Sequence, residues 1–417
     1  MDDAERLRWF ETLREVLDRA HLWTPEDVAP RVNAAVGRLG LRTRILLVDH
    51  EQAALHALAE PGCEAPEPAP VDGSLAGRAF ARVESTPAGV GDRHRWWVPM
   101  VDGTDRLGVI EFVASADLDT ADPQFVRHCE LLCGLVGHLL ATITARGDGI
   151  DRTRRTQPMS PASELLSRLL PPLTSSTDRL VVSAILQPCY EVGGDGFDYA
   201  VDGPTANLLI LDAVGRGLRA GLACAVALAA IRACRVAGGG LSDQARAADA
   251  ALTEQFADIR FATAVLAELH LETGRLRYIN AGHPAPLLLR GGKLVRELTA
   301  GRRMPLGIDD PALEVAEEIL EPDDRLLFYT DGVTEARTVD GDRFGVTRLV
   351  DLTRQHEHAG LPAPETLRRL AHAVVDHQAG PPVDDATLML VQWSTPAAMN
   401  TVPKAGQPPR ENARAGP

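Results

Sequence analysis

Aspartates placed where apolar runs meet glycine account for most of the chemistry this chain could do. In Glu191-Val192-Gly193-Gly194-Asp195-Gly196-Phe197-Asp198, two glycines let backbone come close to whatever the following carboxylates hold. The apolar run Leu208–Leu211 stops at Asp212 and enters Ala213-Val214-Gly215-Arg216-Gly217. Leu326–Thr330 ends in Asp331-Gly332, and Asp384-Asp385 opens the run Ala386–Val391. A short apolar run ending on an aspartate at a glycine turn sets a carboxylate at the rim of a sheet. Four such sites with no Cys or His beside them suit hard divalent cations bound through oxygen.

The elements that must carry these groups surround them. Leu180–Leu186 reads as the strand leading into the paired glycines. After Gly217 an alanine-rich helix runs from Leu218 to about Val236, and a second helix covers Ser242–Phe256. Ala262–Leu269 and Arg275–Asn280 are strands flanking the turn Glu272-Thr273-Gly274. Pro286–Arg290 and Lys293–Leu298 flank Gly291-Gly292, which suits a tight hairpin. Leu326–Thr330 and Thr387–Trp393 are further strands, with helices at Val346–Gln355 and Pro364–His377. Many strands in hairpin order suggest a β-sandwich with helices packed outside.

Upstream, residues 4–22 read as an amphipathic helix with Leu7, Phe10, Leu13, Val16 and Leu17 on one side. Thr24 caps a second helix that starts at Pro25. Strands at Arg44–Val48, Arg95–Met100 and Gly108–Val113, a short helix from Ser74 and a long one from about Pro123 to Thr144 complete a small α+β unit. Residues 145–162 are polar and read as a linker. The short helix Ser163–Leu170 follows; its Leu165, Leu166, Leu169 and Leu170 need a surface to cover. The boundaries expected are a sensor-like domain over 1–145, a linker with this helix over 146–176, the carboxylate-bearing domain over 177–394, and a disordered tail over 395–417.

The motifs Gly-Gly-Asp-x-x-Asp (193–198), Asp-x-x-Gly-x-Gly (212–217), Tyr-Thr-Asp-Gly-Val-Thr-Glu-Ala (329–336) and Asp-Asp-Ala-Thr (384–387) occur in order, with Phe261–Val265 and Asn280–Pro284 between them. In order and spacing they resemble the sporulation-factor E branch of bacterial PPM-type (type 2C-like) serine/threonine phosphatases, over Leu165–Trp393. The resemblance implies a four-layer α-β-β-α sandwich and two Mn²⁺ or Mg²⁺ ions. It implies ligands at Asp195, Asp212, Asp331 and Asp384, with Asp212 bridging the ions beside the backbone carbonyl of Ala213. Asp385 would stand behind these ligands, and Asp198 would either do the same or be structural. His283 is read as a structural corner ahead of a general acid, and Glu335 as structural ahead of a water ligand or helix cap. Arg216 stands where relatives carry His or Lys, and could either touch substrate phosphate or do nothing. Two divalent ions roughly 4 Å apart would neutralise phosphoryl oxygens and acidify a water between them. Gly193-Gly194-Asp195 is also similar to the start of the diguanylate-cyclase signature, but Gly196 stands where that signature needs glutamate. Ala76–Phe80, Trp97–Met100 and Arg106–Ile110 resemble GAF domains over residues 20–145, which implies a ligand sensor or a dimerising structural unit.

The fold class expected is thus α+β, a GAF-like domain followed by the phosphatase sandwich. At 417 residues and 45% hydrophobic content the chain can build two sizeable cores; at 4% aromatic they must be aliphatic. A net charge of −15 speaks against nucleic acid or an anionic membrane as partner. The six scattered cysteines, Cys63 among them, indicate core thiols and not a disulfide framework. The N-terminus lacks the order of a signal peptide. The uncharged runs Gly221–Ile231 and Leu131–Thr144 fall short of the roughly 20 apolar residues that span a bilayer. The expectation is a cytoplasmic homodimer whose N-terminal domain sets the activity, with a small-molecule ligand at that domain left open. The resemblance implies that it dephosphorylates phosphoserine or phosphothreonine on a STAS-type anti-anti-sigma factor. The alternative is a non-catalytic partner-binding switch that keeps the fold.

Overall fold

The computed structural model describes residues 3–403, apart from 61, 63, 65, 89–93, 116–121, 192, 257, 259, 260, 311, 312 and 379–383. Cys63, Val192 and the tail from residue 404 therefore lie outside the described residues. The chain divides into two compact units, Met1–Thr156 with Asn400–Pro417, and Gln157–Met399.

The first unit opens with helices α1 (Asp3–Asp18) and α2 (Pro25–Gly37). It continues through strands β1 (Leu41–Val48), β2 (Ala54–Ala57) and β3 (Ala69–Pro70), helix α3 (Leu75–Arg82) and strands β4 (Thr86–Pro87), β5 (Arg95–Asp102) and β6 (Asp105–Ala114). Helices α4 (Pro123–Thr144) and α5 (Gly149–Arg154) close it. The strands form one antiparallel sheet in the order β3-β2-β1-β6-β5-β4. One face packs on α1, α2 and α4 through Val32, Val36, Ile45, Val98, Phe112, Leu132 and Val136. Part of the other face packs on α3 through Leu46, Val109 and Phe80.

α1 packs on only part of the apolar side read from the sequence, through Val16 and Leu13. Trp9, Thr12 and Val16 face inward, leaving Leu7, Phe10 and Leu17 exposed. The largest apolar group settles the orientation: Trp9 sits edge-on to Phe125 and stacks on His128, with centroids 5.8 and 5.2 Å apart.

The second unit begins with α6 (Pro161–Leu169) and strands β7 (Thr174–Ser176), β8 (Leu180–Gln187), β9 (Asp195–Asp202) and β10 (Thr205–Ala213). Helices α7 (Gly217–Val236) and α8 (Leu241–Gln255) follow, then β11 (Ala262–His270), β12 (Arg275–Ala281), β13 (Leu287–Arg290), β14 (Lys293–Glu297), β15 (Arg302–Arg303), β16 (Ala316–Ile319) and β17 (Arg325–Tyr329). The unit ends in α9 (Asp331–Glu335), α10 (Gly345–His358), α11 (Ala363–His377), β18 (Ala386–Trp393) and α12 (Thr395–Ala398). One sheet runs β15-β12-β11-β10-β9, with β16 also paired to β12; the other runs β14-β13-β17-β18-β8-β7.

Three apolar layers show how the sheets stack. Val182, Phe197, Ile210, Val265, Phe328 and Met389 come from both sheets and fill the space between them. Leu209, Leu211, Leu266 and Ile279 point the other way, onto α7 and α8. Ile185, Leu327, Leu388 and Leu390 point onto α10 and α11. Alternation with period two sends successive residues of each strand to opposite faces, so both sheets are covered on both sides. The result is a helix–sheet–sheet–helix sandwich.

Three expectations change on this frame. The stretch 146–176 holds α5 and β7 besides the expected short helix, α6; Ile150 is buried in the first unit's core, and Leu166 in the second's. The tail is ordered at its start, where Ser394 caps α12 and Ala398 packs beside Leu367 and Leu370. The helices Pro123–Thr144 and Gly217–Val236 are long and apolar enough to cross a membrane by length and composition. Each instead buries one face on a sheet, through Cys129, Leu132 and Val136 in one and Ala223, Ala227 and Ile231 in the other.

Leu166 is fully buried, whereas Leu165 and Leu169 are partly exposed. Leu166→Ala should therefore cost about 2–5 kcal/mol, and Leu165→Ala distinctly less. Urea denaturation of the two variants measures the difference; equal costs would mean that α6 is not packed as described.

Candidate active site

The four carboxylate sites predicted from sequence meet at one end of the two sheets. Asp195 opens β9 and pairs directly with Asp212 near the end of β10. Asp331 follows β17 and starts α9, while Asp384 and Asp385 precede β18, the strand hydrogen-bonded to β17. The first two acids thus come from one sheet and the others from its partner sheet.

Asp385 joins the sheets. Its Oδ2 accepts hydrogen bonds from the backbone N–H groups of Gly193 (2.6 Å), Gly194 (2.8 Å) and Asp195 (3.3 Å). Thr330 adds a second stitch: its hydroxyl donates to Asp195 Oδ2 at 2.8 Å and accepts from the Thr387 N–H at 2.9 Å. Two glycines make these approaches possible. A Cβ on Gly194 would lie 2.1 Å from the Ala213 carbonyl oxygen, and one on Gly332 would lie 1.9 Å from that of Asp385.

The group is strongly acidic and short of cations. Burial, then the charges of Asp212 and Asp385, push the Asp195 carboxyl well above its ordinary value. Burial and the charges of Asp331, Asp384 and Asp385 push Asp212 up to about 7. Asp331 is raised by burial and by Asp384. Burial also raises Asp385, against the opposing effect of its three backbone donors. The leading upward influences are burial and neighbouring carboxylates, the pattern of a site that lacks its counter-charge. Among the described residues no three His, Cys, Asp or Glu side chains close on a single point. The donors that do gather here are all oxygens, the type that suits a hard cation.

Of the other candidates, Asp198, His283 and Arg216 fall outside this group, whereas the charge of Glu335 adds to the upward push on Asp331. Asp198 is buried and paired with Arg232 at 2.7 Å and Arg235 at 2.9 Å, both on α7. His283 is 1% exposed; its Nδ1 lies 2.7 Å from the Thr263 hydroxyl, its backbone N–H donates to Asn280 Oδ1 at 2.8 Å, and burial lowers its pKa to about 3. It is a neutral, enclosed corner. Glu335 ends α9 and pairs with Arg343 at 3.3 Å, so it caps no following helix. Arg216 is exposed at the N-cap of α7. Sequence reasoning missed Thr330 and Thr387. The only sequence signal was their place in the strands beside Asp331 and Asp385.

This layered fold and its carboxylate rim define a PPM-type protein phosphatase domain. Residues 202–394, just under half of the 417, match the family model of Stage II sporulation protein E (SpoIIE), so the second unit is a SpoIIE-type phosphatase domain. Asp212, Asp331 and Asp384 lie inside the match; Asp195 and Asp198 lie just upstream of it. The chain is 24% identical over 235 residues to the phosphoserine phosphatase RsbU of Bacillus subtilis (strain 168), covering 55% of this chain and 68% of that one. The SiaA-PP2C domain of Pseudomonas aeruginosa is 23% identical, with 55% of this chain and 94% of that one covered, at a TM-score of 0.47. The structure of the RsbU and RsbW domains of Rv1364c from Mycobacterium tuberculosis is 26% identical, with 51% and 61% covered, at a TM-score of 0.44. The family match does not reach the first unit, whose likeness to GAF domains rests on its sequence motifs.

Thr330→Val removes a donor to buried Asp195 and leaves the Thr387 N–H without its acceptor. The expected cost is about 1–3 kcal/mol, read from thermal melts of the metal-free protein. No loss would show that the stitch is not part of the rim.

Proposed function

We propose that the chain is a Mn²⁺- or Mg²⁺-dependent protein phosphatase that hydrolyses phosphoserine or phosphothreonine on a regulatory protein. The observation that carries this is the rim itself. Its aspartates raise one another's pKa, a repulsion that bound cations would relieve. Asp195, Asp212, Asp331, Asp384 and the Ala213 carbonyl would hold two ions. What such ions supply when bound is positive charge at the phosphoryl oxygens and a more acidic water. The chain's own residues do the rest. Asp385 holds the backbone of 193–195 in place, Thr330 orients Asp195, and the apolar layer between the sheets keeps the rim from relaxing.

The likeness to a phosphoserine phosphatase supports the reaction. A STAS-type anti-anti-sigma factor as substrate, a cytoplasmic setting, a homodimer and control by the N-terminal unit extend the same reading. Leu166 and Leu170, packed on the second unit, give α6 a route to influence it.

p-Nitrophenyl phosphate with Mn²⁺ should be hydrolysed, and chelator should stop it. Asp212→Asn and Asp331→Asn should reduce the rate to background. Thr330→Val should instead raise the Mn²⁺ needed for half-maximal rate about 10–100-fold. Metal-independent or absent turnover, on this ester and on phosphoproteins, would leave the partner-binding switch as the better account. Asp212→Asn should also raise the melting temperature of the metal-free protein, because it removes one of several crowded like charges. A lower melting temperature would contradict that reading of the rim. Among a panel of phosphorylated STAS proteins one should be preferred; indifference among them removes that substrate class.

A further inference from the structure

Thr263 and His283 form a pair beside the carboxylate rim that the carboxylate chemistry does not use. Asp195, Asp212 and Thr263 stand in one row across β9, β10 and β11: Asp212 pairs directly with Asp195 on one side and with Thr263 on the other. Directly opposed residues share a face of the sheet with Cβ atoms about 4.5–5.5 Å apart, so the Thr263 hydroxyl is within reach of the Asp212 carboxylate. Ala262 and Ala264 pack on the helix side, which turns Thr263 toward the space between the sheets. A hydroxyl beside a carboxylate ordinarily donates to it, because a charge-assisted hydrogen bond is roughly twice as strong as a neutral one. Among the described residues, however, the Thr263 side chain has one hydrogen-bond partner, Nδ1 of His283 at 2.7 Å. The ring decides which way that bond runs. It is enclosed and neutral, so one nitrogen carries a proton and the other is bare. Nε2 is buried with no hydrogen-bond partner of ordinary geometry among the described residues, yet the Tyr329 backbone favours a proton on the ring. A backbone group that favours a proton is a carbonyl, and Nδ1 is taken by Thr263, so the proton sits on Nε2. Bare Nδ1 then accepts from Thr263.

We propose that His283 is a positioning residue for Asp212, acting through Thr263: it takes the threonine proton, so that Thr263 turns an oxygen lone pair and no donor toward the rim. This rests on the phosphatase reading and goes beyond it, since it gives the enclosed corner a part in the site. Asp212 keeps its lone pairs for cations, which a hydrogen bond from Thr263 would occupy. Without the ring nitrogen, Thr263 would swing its proton to Asp212 and compete with cation binding. The corner is held for this task, because the His283 backbone N–H donates to buried Asn280 at 2.8 Å.

The test follows Mn²⁺ binding by the full chain, read from the paramagnetic resonance signal of the free ion. His283→Phe fills the corner without an acceptor and should weaken binding about 10–100-fold. His283→Asn, whose Oδ1 stands where Nδ1 does, should restore most of the loss, and His283→Gln should not. Rescue by Gln and not by Asn would place the needed nitrogen at Nε2 and overturn the proposal. In a Thr263→Val chain no hydroxyl proton is left to misdirect, so adding His283→Phe should weaken binding no further. Equal losses in the two backgrounds would show that the ring only fills space, and would overturn the proposal. A second measurement reads the hydrogen bond in the metal-free parent. Two-bond proton–nitrogen spectra should show a histidine ring protonated on Nε2 and neutral across about pH 5–8, absent from His283→Asn. The Nδ1-protonated form overturns the proposal, because that ring would donate to Thr263 and release its proton to Asp212. A parent chain that binds no Mn²⁺ is a failure of the phosphatase reading, and the tautomer then still decides this one.

Discussion

Carboxylates crowded at a partly buried rim repel one another, and the rest of the second unit is built against that repulsion. Two unit charges about 4 Å apart cost roughly 1 kcal/mol in water and about 4 kcal/mol at an effective dielectric of 20. Here burial adds to the repulsion, and Asp212 is pushed up to about 7. An unsupported loop would relieve the strain by swinging its acid into solvent. Asp195 and Asp212 sit instead within paired strands, where backbone pairing leaves them little freedom, and Asp331 and Asp384 stand exposed just outside theirs.

The arrangement has two levels. Within each sheet, register does the placing: Asp195 lies opposite Asp212, and Tyr329 lies opposite Leu388, so Asp331 and Asp384 leave neighbouring strands at the same end. Between the sheets the apolar layer sets only a spacing, because packing of Phe197, Ile210, Phe328 and Met389 is non-directional. Direction comes from hydrogen bonds across the gap. Three N–H groups at the start of β9 converge on Asp385, and Thr330 ties Asp195 to β18. One carboxylate is used to hold the backbone that presents another, and its own charge is partly offset by the three donors.

The strand ends were legible because the signal is local: an apolar run, an aspartate and a glycine within a few residues. The layer order followed from the motifs' resemblance and from hairpin spacing, and the apolar layers reproduce it. What depends on distant partners was not legible. Nothing near Asp385 indicates that it holds residues 192 positions away in sequence from its own, at Gly193. β9 was not read as a strand, because its start, Asp195-Gly196-Phe197-Asp198, lacks the alternation of a half-buried strand; both faces are covered here. The orientation of α1 was read correctly for Leu13 and Val16 and wrongly for Leu7, Phe10 and Leu17, because counting leucines ignores size. Trp9 alone outweighs the stripe that the counting selects. Residues 145–162 are polar and hold the boundary between the two units, yet Ile150 and Arg154 tie α5 to the first unit, which composition does not reveal.

Asp198 shows how the entry to the domain is tied to its rim. It lies three residues beyond Asp195 on β9 and is enclosed, a costly place for a charge unless it is paired. Arg232 and Arg235 supply the pairing from α7. Arg232 also donates to the carbonyl of Leu169 at 2.8 Å, the last residue of α6. That carbonyl is one of the groups a helix end leaves unsatisfied, so the bond is worth more than its surface equivalent. One guanidinium thus connects the end of α6 to the strand that begins with Asp195. Leu170 follows directly, packing into both the layer under α7 and the layer between the sheets. Displacing α6 would strip Arg232 of an acceptor and open both apolar layers at once, beside the strand on which the rim depends.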